Sequence, residues 1–308
     1  MEMKIAKLMY HKWEEEPISG IAEGHIGTFA IFFYGCNMKC VYCQNSKISH
    51  LNINDNNVFG NFISENGETN NHKKILYTPN ELSDLMIKAQ NENAASISFI
   101  TGVLYVDKIV ETIKLAKEKG LTIPIVYNSS GYEIVSQIKK LNKLVDIYLP
   151  DFKYFDNELG KKFSRVNNYP RVAKECIEEM YKQVVAASSH NKISIFDEAK
   201  SEVVSHNNTK ITNSLIVRNL VLPGHTGNSK QVIKYLYDTY GDDIYISIMS
   251  QYTPMLNNDG IDKYKELTRK LTKREYEKVV DYAISIGVKN AYIQDTEVAD
   301  ESFIPSFD

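Results

Sequence analysis

The stretch Gly35-Cys36-Asn37-Met38-Lys39-Cys40-Val41-Tyr42-Cys43 holds three of the four cysteines of this 308-residue chain. Thiolates clustered this densely bind a soft metal or oxidise at neutral pH. The fourth cysteine, Cys176, lies far away in a Lys/Glu-rich helical stretch. An iron–sulfur cubane accepts three cysteines and leaves one iron open to an outside ligand. The open iron is an argument for chemistry rather than for a purely structural metal.

A zinc knuckle is the alternative on the same residues. Zinc needs four ligands to complete its tetrahedron. It would have to borrow His25, His50 or an aspartate as the fourth ligand, because only three cysteines lie close together. The cysteine spacing alone therefore leaves both a zinc site and an iron–sulfur cluster open, and the rest of the chain favours the iron–sulfur cluster.

The C-x3-C-x2-C spacing resembles the radical SAM superfamily. The residues before and after it, Phe32-Phe33-Tyr34-Gly35 and Gln44-Asn45, look like the branch of pyruvate formate-lyase activating enzyme-like proteins. In that family three cysteines hold a [4Fe–4S] cluster, and S-adenosylmethionine chelates the fourth iron. The resemblance implies that Cys36, Cys40 and Cys43 are cluster ligands and that Tyr42 packs against the adenine.

Longer phrases extend the resemblance over nearly the whole chain. They look like the uncharacterised homologues of pyruvate formate-lyase activating enzyme rather than the activator itself. The phrases cover residues 124–133, 145–154, 217–224 and 249–254.

The composition is that of an ordinary soluble protein, with 43% hydrophobic and 24% charged residues. A net charge of −3 gives no electrostatic basis for binding nucleic acid. The start Met1-Glu2-Met3-Lys4 carries no apolar signal core, and no apolar run reaches membrane-spanning length. Clustered cysteines without a disulfide framework indicate a reducing compartment, so we expect a cytoplasmic protein without a membrane partner.

The domain prediction is an N-terminal arm over residues 1–26 followed by one domain over residues 27–308. The acidic, turn-like segment 13–20 is typical of a solvated arm, although its Glu-Pro-x-Ser-Gly phrase also resembles the activating enzyme-like branch and would then border the site. Residues 51–75 are rich in asparagine and poor in apolar residues, which predicts an insertion or loop.

Strand and helix patterns alternate from Thr28 onward. Apolar, β-branched runs predict six principal strands that are buried on both faces, and amphipathic helices lie between them. Alternation of this kind predicts βαβ units and a parallel sheet. The fold class is therefore α/β, and the resemblance implies a partial (β/α)6 TIM-like barrel of the radical SAM type.

Ligand groups gather at the C-terminal ends of strands in parallel α/β folds, and polar residues follow the predicted strands here. The resemblance gives these positions roles toward S-adenosylmethionine. It implies contact with the ammonium at the Gly-Gly-Glu position, with the ribose after the third strand, with the methionine and sulfonium at an Asp-x-Lys pair, and further polar contacts on the last two strands. In that order the cofactor-binding residues are Thr101 and Gly102, Asn128, Asp151 and Lys153, and Arg218 and Tyr252. Ser130, which also follows the third strand, is a further expected cofactor-binding residue.

One position departs from the family pattern. Val103 stands where the Gly-Gly-Glu motif has its glutamate, and Thr101 replaces the first glycine. A motif that acts through backbone carbonyls tolerates this change, whereas a contact from the glutamate side chain is lost.

The resemblance implies a radical enzyme whose [4Fe–4S] cluster and S-adenosylmethionine generate a 5′-deoxyadenosyl radical. Flavodoxin or ferredoxin would supply the electron, and the radical would abstract hydrogen from a protein or peptide, in the first place a glycine of a glycyl-radical enzyme. One alternative is peptide modification by epimerisation or cross-linking, for which Cys176 is the only spare hydrogen donor. The other is a non-enzymatic iron–sulfur protein in electron transfer or sensing.

Overall fold

The computed structural model describes residues 2–53, 75–188 and 213–294. The predicted insertion at 51–75 and the predicted polar loop at 190–212 therefore lie mostly or wholly outside the described residues. The strands are β1 Met3–His11, β2 Thr28–Phe33, β3 Leu76–Tyr77, β4 Ser96–Ile100, β5 Ile125–Ser129, β6 Ile147–Pro150, β7 Ser214–Leu220, β8 Tyr245–Met249 and β9 Ala291–Ile293. The helices are α1 Glu16–Ser19, α2 Ser46–Ser49, α3 Pro79–Asn91, α4 Val106–Glu118, α5 Val135–Lys140, α6 Asn157–Ser164, α7 Tyr169–Ser188, α8 Thr226–Tyr240 and α9 Lys273–Ser285.

The strands form one sheet in the order β3-β1-β2-β4-β5-β6-β7-β8-β9. The run from β2 to β9 is parallel throughout, whereas β1 pairs antiparallel with β2 and β3 pairs antiparallel with β1. Within the described ranges β3 and β9 are the two edges and do not pair, so the sheet is not closed. This mixed α/β architecture is a partial TIM-like barrel, as the sequence predicted.

Local sequence signals set the first residues of two helices. Thr78 and Glu81 form a reciprocal capping box at the start of α3, with Pro79 at its first position. Thr272 and Glu275 form the same box at the start of α9. Such caps satisfy backbone N–H groups that have no partner inside the helix, so both helices begin directly after the threonine of a Thr-x-x-Glu sequence.

The two faces of the sheet carry different cores. Alternate residues of a strand point to opposite faces. Ile125 and Tyr127 pack in the large core that includes the helices, whereas Val126 belongs to a second cluster that also contains Ile147 and the α1 residue Ile18. All of them have no exposed surface. Helix α1 therefore packs on the inner face of the sheet.

The structure corrects the expectation of a solvated segment at 13–20. Strand β1 pairs with β2 from Ile5 to His11, and the chain then turns inward. The side chains of Glu14 and Glu15 are only 6% and 7% exposed, because both contact a buried arginine of β7. Because this arginine lies about 200 residues further along the chain, the sequence around residues 13–20 gives no local signal that Glu14 and Glu15 are buried. The domain boundary drawn at residue 27 stays a prediction.

None of the helices within residues 2–53, 75–188 and 213–294 has the length and apolarity needed to cross a membrane.

Candidate functional site

The cysteine loop follows directly from the C-terminal end of β2. Gly35, which opens it, has φ +87°. A Cβ there would lie 2.5 Å from Cγ2 of Ile53 and 2.9 Å from Cδ1 of Leu104. Both the backbone angle and the close approach require glycine, so the chain turns sharply at this point and brings Cys36 over the end of the strand.

The end of α6 fixes the middle of this loop. The amide of Lys39 donates to the Ser164 carbonyl at 3.1 Å, and that of Val41 donates to the Phe163 carbonyl at 2.8 Å. These carbonyls lie in the last turn of α6, where no intrahelical donor is available. The loop therefore supplies the partners that the helix end needs, and Cys40, between the two donors, is held in place.

The loop after β8 fixes the other end of the cysteine stretch. Asn258 donates from Nδ2 to the carbonyl of Cys43 at 2.9 Å and accepts from the Ser46 hydroxyl at 2.6 Å. Gln44 donates from Nε2 to the carbonyl of Gln251 at 3.3 Å. The loop after β2 and the loop after β8 therefore meet at the cysteines.

Each cysteine sulfur has a hydrogen-bond contact of its own. The Met38 amide donates to Sγ of Cys36 at 3.4 Å. Sγ of Cys40 lies 3.0 Å from the Ser164 hydroxyl, and Sγ of Cys43 lies 3.2 Å from the Ser49 hydroxyl. Burial raises the pKa of all three thiols, that of Cys40 to about 12. A metal that binds here must therefore displace the proton.

A cavity of about 250 Å³ lies over the C-terminal ends of the parallel strands. It brings together all the predicted site residues except Gly102, which starts a 3-10 helix and packs against Ile109. The predicted residues that line the cavity are Cys36, Cys40, Tyr42, Cys43, Thr101, Asn128, Ser130, Asp151, Lys153, Arg218 and Tyr252.

Thr101 occupies a conformation that is uncommon for its residue type. Its φ of 60° and ψ of 40° are left-handed, which is unfavourable for a β-branched residue. Its amide donates to the carbonyl of Asn128 at 3.1 Å, so the ends of β4 and β5 are joined beside the cavity. Val103 lies in the following 3-10 helix and is not among the cavity-lining residues.

The loop after β5 rests on a buried carboxyl group. Glu133, 3% exposed, accepts from the hydroxyl of Ser129 at 2.5 Å and from that of Tyr127 at 2.8 Å. Ser129 in turn accepts from the amide of Gly131 at 3.0 Å. Burial raises the pKa of Glu133 above its usual value, although both hydroxyl contacts act in the opposite direction. This network shapes the loop that carries Asn128 and Ser130.

Tyr169 on α7 ties this loop to the end of β6. Its hydroxyl accepts from the amide of Lys153 at 2.9 Å and lies 2.9 Å and 3.0 Å from the carbonyls of Ser130 and Asp151. The Lys153 ammonium lies 2.5 Å from Oδ2 of Asp151. Burial lowers the pKa of Lys153, but the neighbouring Asp151 outweighs it and the pKa lies above the usual value. The pair presents one fixed cation and one fixed anion to the cavity.

Arg218 lines the cavity, but its guanidinium is held by two carboxylates. Nε donates to Oε1 of Glu15 at 2.9 Å, and NH2 contacts both Glu15 and Glu14. Burial lowers the pKa of Arg218, but the two carboxylates raise it by more, so the pKa lies above its usual value. The same guanidinium keeps the pKa of Glu15 below its usual value despite the burial of the carboxylate. Arg218 is therefore committed to the N-terminal segment within the described residues.

The aromatic wall of the cavity contains Tyr42 and Tyr252, whose ring centroids lie 6.1 Å apart. The Tyr252 hydroxyl donates to the carbonyl of Leu267 at 2.6 Å, so it is the ring that Tyr252 presents. The Tyr42 hydroxyl lies 2.6 Å from that of Tyr154. The two ring planes are inclined by 59°, and the face of one aromatic ring is a surface on which an adenine can stack.

Several functional positions escape an analysis based on the sequence. His11, Trp13 and Glu14 line the cavity from the N-terminal segment. The only signal for them is the neighbouring Glu-Pro-x-Ser-Gly phrase. Tyr154 and Tyr169 support the site from below without lining it, and their positions within helical or turn-like stretches give no signal at all.

The thiol donors suit a [4Fe–4S] cluster, in which each cysteine binds a different iron and the fourth iron stays open to an outside ligand. The three cysteines line one cavity together with an ion pair and an aromatic wall, which are groups suited to a zwitterionic nucleoside cofactor.

Comparisons with known proteins cover most of the chain. It is 28% identical over 260 residues to an uncharacterised protein of Methanocaldococcus jannaschii, covering 84% of this chain and 62% of the relative. A protein of the same organism, provisionally named a glycyl-radical enzyme activating enzyme, is 32% identical over 123 residues, 40% of this chain and 42% of the relative. The chain thus spans less than two thirds of either relative.

A solved structure shows the same fold. The crystal structure of Streptococcus suis SuiB bound to S-adenosylmethionine aligns with a TM-score of 0.50 and 11% identity, covering 87% of this chain and 50% of SuiB. The family model of the radical SAM superfamily matches residues 30–202, which is more than half of the chain. The chain therefore belongs to the radical SAM superfamily, whose enzymes use a [4Fe–4S] cluster and S-adenosylmethionine.

Proposed function

We propose that this enzyme holds its cluster through Cys36, Cys40 and Cys43 and abstracts a hydrogen atom from a protein substrate, namely from Cα of a glycine in a glycyl-radical enzyme. The observation that carries the proposal is the single cavity that the three cysteines share with the Asp151–Lys153 pair and Asn128. These residues supply the metal ligands and the polar contacts that the two cofactors need.

When bound, the cluster and S-adenosylmethionine supply a 5′-deoxyadenosyl radical. The protein residues bind and orient. Lys153 would offer a cation to the carboxylate of the methionine moiety, and Asp151 would offer an anion to its positive groups. Asn128 at the end of β5 would bind the ribose, and the Tyr42 ring would pack against the adenine.

The choice of a glycyl-radical enzyme as substrate rests on homology. The provisionally named activating enzyme shares 32% identity over 123 residues with this chain, and the sequence phrases resemble the same branch. In the proposed step the glycine Cα–H bond of the substrate would break, with its hydrogen atom going to the 5′ carbon of the cleaved cofactor, so that 5′-deoxyadenosine and a glycyl radical would be the products. The proposed reductant is flavodoxin or ferredoxin, which would deliver one electron to the cluster.

The position of Cys176 disfavours peptide epimerisation. Epimerisation needs a hydrogen donor on the face opposite the radical, and Cys176 is the only cysteine outside the cluster loop. It is fully buried in the large core on α7, and it does not line the cavity. A thiol at this place cannot reach a substrate in the cavity, so this chemistry would lack its donor.

The first test is anaerobic cofactor cleavage. The protein is reconstituted with iron and sulfide, reduced with dithionite and mixed with S-adenosylmethionine, and 5′-deoxyadenosine is quantified. We expect product from the wild type and from Cys176→Ala, and none from Cys40→Ala. The Cys176 variant is a matched control because it removes a buried thiol outside the cavity. A wild-type protein with a full cluster and no product would overturn the proposal in favour of electron transfer or sensing.

The second test addresses the substrate. A candidate glycyl-radical enzyme with glycine deuterated at Cα is added to the reduced, loaded protein. The proposal predicts deuterium in the 5′-deoxyadenosine and a glycyl-radical signal in the EPR spectrum. Cleavage without either result would leave the cofactor chemistry standing and would remove the glycine as the hydrogen source.

A further inference from the structure

The three cysteine sulfurs differ in what lies behind their hydrogen-bond partners. Cys36 meets a backbone amide and Cys43 meets the single hydroxyl of Ser49. The partner of Cys40, Ser164, instead begins a row of hydroxyl groups. The Ser164 hydroxyl lies 2.6 Å from that of Tyr154, which lies 2.6 Å from that of Tyr42.

This hydroxyl row (Ser164, Tyr154 and Tyr42) is buried along its whole length. Ser164 and Tyr154 have no exposed surface, and Tyr42 is 6% exposed. Hydrogen bonds in such surroundings are stronger than in water and polarise one another. The row connects two parts of the cavity wall: the sulfur of Cys40 at one end and the aromatic ring that faces the adenine site at the other.

Metal ligation of Cys40 fixes the direction of every hydrogen bond in the row. A coordinated thiolate carries no proton, so it can only accept. Ser164 must then donate its one proton to the sulfur, Tyr154 must donate to Ser164, and Tyr42 must donate to Tyr154. All three donors therefore point toward the cysteine.

We propose that the hydroxyl row raises the reduction potential of the cluster by stabilising negative charge on the sulfur of Cys40, with Ser164 and Tyr154 as positioning residues. The inference rests on the proposed ligation of the cluster by the three cysteines. Reduction adds an electron, which makes the sulfurs better acceptors, so a donor stabilises the reduced form more than the oxidised one. The protein would thereby ease the electron transfer on which its chemistry depends.

The test is an EPR-monitored redox titration of the reconstituted protein, without S-adenosylmethionine. Ser164→Ala removes the donor, and we expect its potential to become more negative by about 59 mV, which is a tenfold change for one electron. Tyr154→Phe keeps the ring and removes the next hydroxyl, so its shift is smaller and has the same sign. The control is Ser229→Ala on α8, because this buried hydroxyl has no hydrogen-bond partner among the described residues.

The outcomes separate this inference from the proposed function. A wild type that binds no cluster, by iron and sulfide content, overturns the ligation itself. A Ser164→Ala protein with a full cluster and the wild-type potential overturns the role of the row, as does an equal shift in Ser229→Ala. Should Ser164→Ala fail to fold or to bind the cluster, Tyr154→Phe decides, since an unchanged potential there shows that no charge stabilisation passes along the row.

Discussion

Glu15 and Glu133 are two buried glutamates that the protein surrounds with opposite chemistry. The Glu15 side chain, 7% exposed, lies on the guanidinium of Arg218, and its pKa is lowered. Glu133 is 3% exposed and accepts from the hydroxyls of Ser129 and Tyr127, and its pKa is raised. Burial raises the pKa of both carboxyl groups, and only the one with a cation at contact distance overcomes it.

The difference shows two ways in which this fold secures the walls of one cavity. The ion pairs of Glu14 and Glu15 with Arg218 bind the N-terminal segment to β7 and lie in the protein interior. Hydroxyl donors, in place of a cation, hold the buried carboxyl group that shapes the loop after β5. Removing one partner of a buried ionic contact costs about 3–5 kcal/mol, whereas leaving one buried hydrogen-bonding group unsatisfied costs about 1–3 kcal/mol. The predictions below test this contrast, beginning with the largest effect.

Replacement of Arg218 by methionine would leave Glu14 and Glu15 buried without a counter-ion. We expect the free energy of unfolding to fall by about 3–5 kcal/mol at neutral pH, as for other buried pairs that lose one partner. Urea denaturation measures the loss. Arg171→Met is the matched control, because its ion pair with Glu175 lies on an exposed helix face, where the two side chains are 65% and 50% exposed. That control should lose less than about 1 kcal/mol, and equal losses would contradict the ionic account.

Replacement of Gly131 by alanine tests the loop after β5, which Glu133 holds through hydroxyl groups. Its φ is +72°, and a Cβ would lie 2.1 Å from the carbonyl oxygen of Asp151. Strain and overpacking together should cost about 3 kcal/mol. Gly120 has φ +95° and nothing within 4 Å of a Cβ, so Gly120→Ala isolates the strain, at about 1 kcal/mol. The two variants are compared by thermal or urea unfolding, and losses of the same size would show that the loop yields to the clash.

The smallest effect is a pair of pH profiles with opposite slopes. The lowered pKa of Glu15 gives stability that is fully present above the usual value of 4.5 and is lost as pH falls through the folded-state pKa. Glu15→Gln should therefore be less stable than wild type by about 1.5–3 kcal/mol at neutral pH, and this gap should narrow below pH 4.5.

Glu133 has the reverse dependence. Its raised pKa means that the folded state keeps the proton longer, so wild-type stability decreases as pH rises from 4.5 toward the folded-state pKa. Glu133→Gln does not titrate, and its stability relative to wild type should increase over that range. Urea denaturation at a series of pH values measures both variants. Parallel profiles for Glu15→Gln and Glu133→Gln would contradict the assignment of opposite environments.

Local sequence signals predicted much of the fold because they act over short distances. The helices Pro79–Asn91 and Lys273–Ser285 each begin at a capping box formed by residues three apart. The alternation of apolar strands with amphipathic helices predicted the parallel sheet. The sequence analysis did not predict strand β1, because β1 pairs antiparallel with β2 and is not part of a βαβ unit.

The candidate site was predictable to the extent that strand ends define it. Residues after β4, β5 and β6 meet at one cavity because parallel strands end on the same side of the sheet. The partners of those residues were not predictable. Tyr169 contacts the loop after β5 from 39 residues away, and Glu15 contacts Arg218 from 203 residues away. Nothing in the sequence near these residues encodes such contacts.

The sequence by itself determined the family, the three clustered cysteines and the alternation of strands and helices from Thr28 onward, because spacing and periodicity are properties of neighbouring residues. Only the tertiary structure decided the protonation and partners of the buried polar groups. Two glutamates show this: Arg218 lowers the pKa of the Glu15 carboxyl group, whereas burial beside two hydroxyls raises that of Glu133. Electrostatic energy depends on distance through space, and folding brings these groups together from distant parts of the chain.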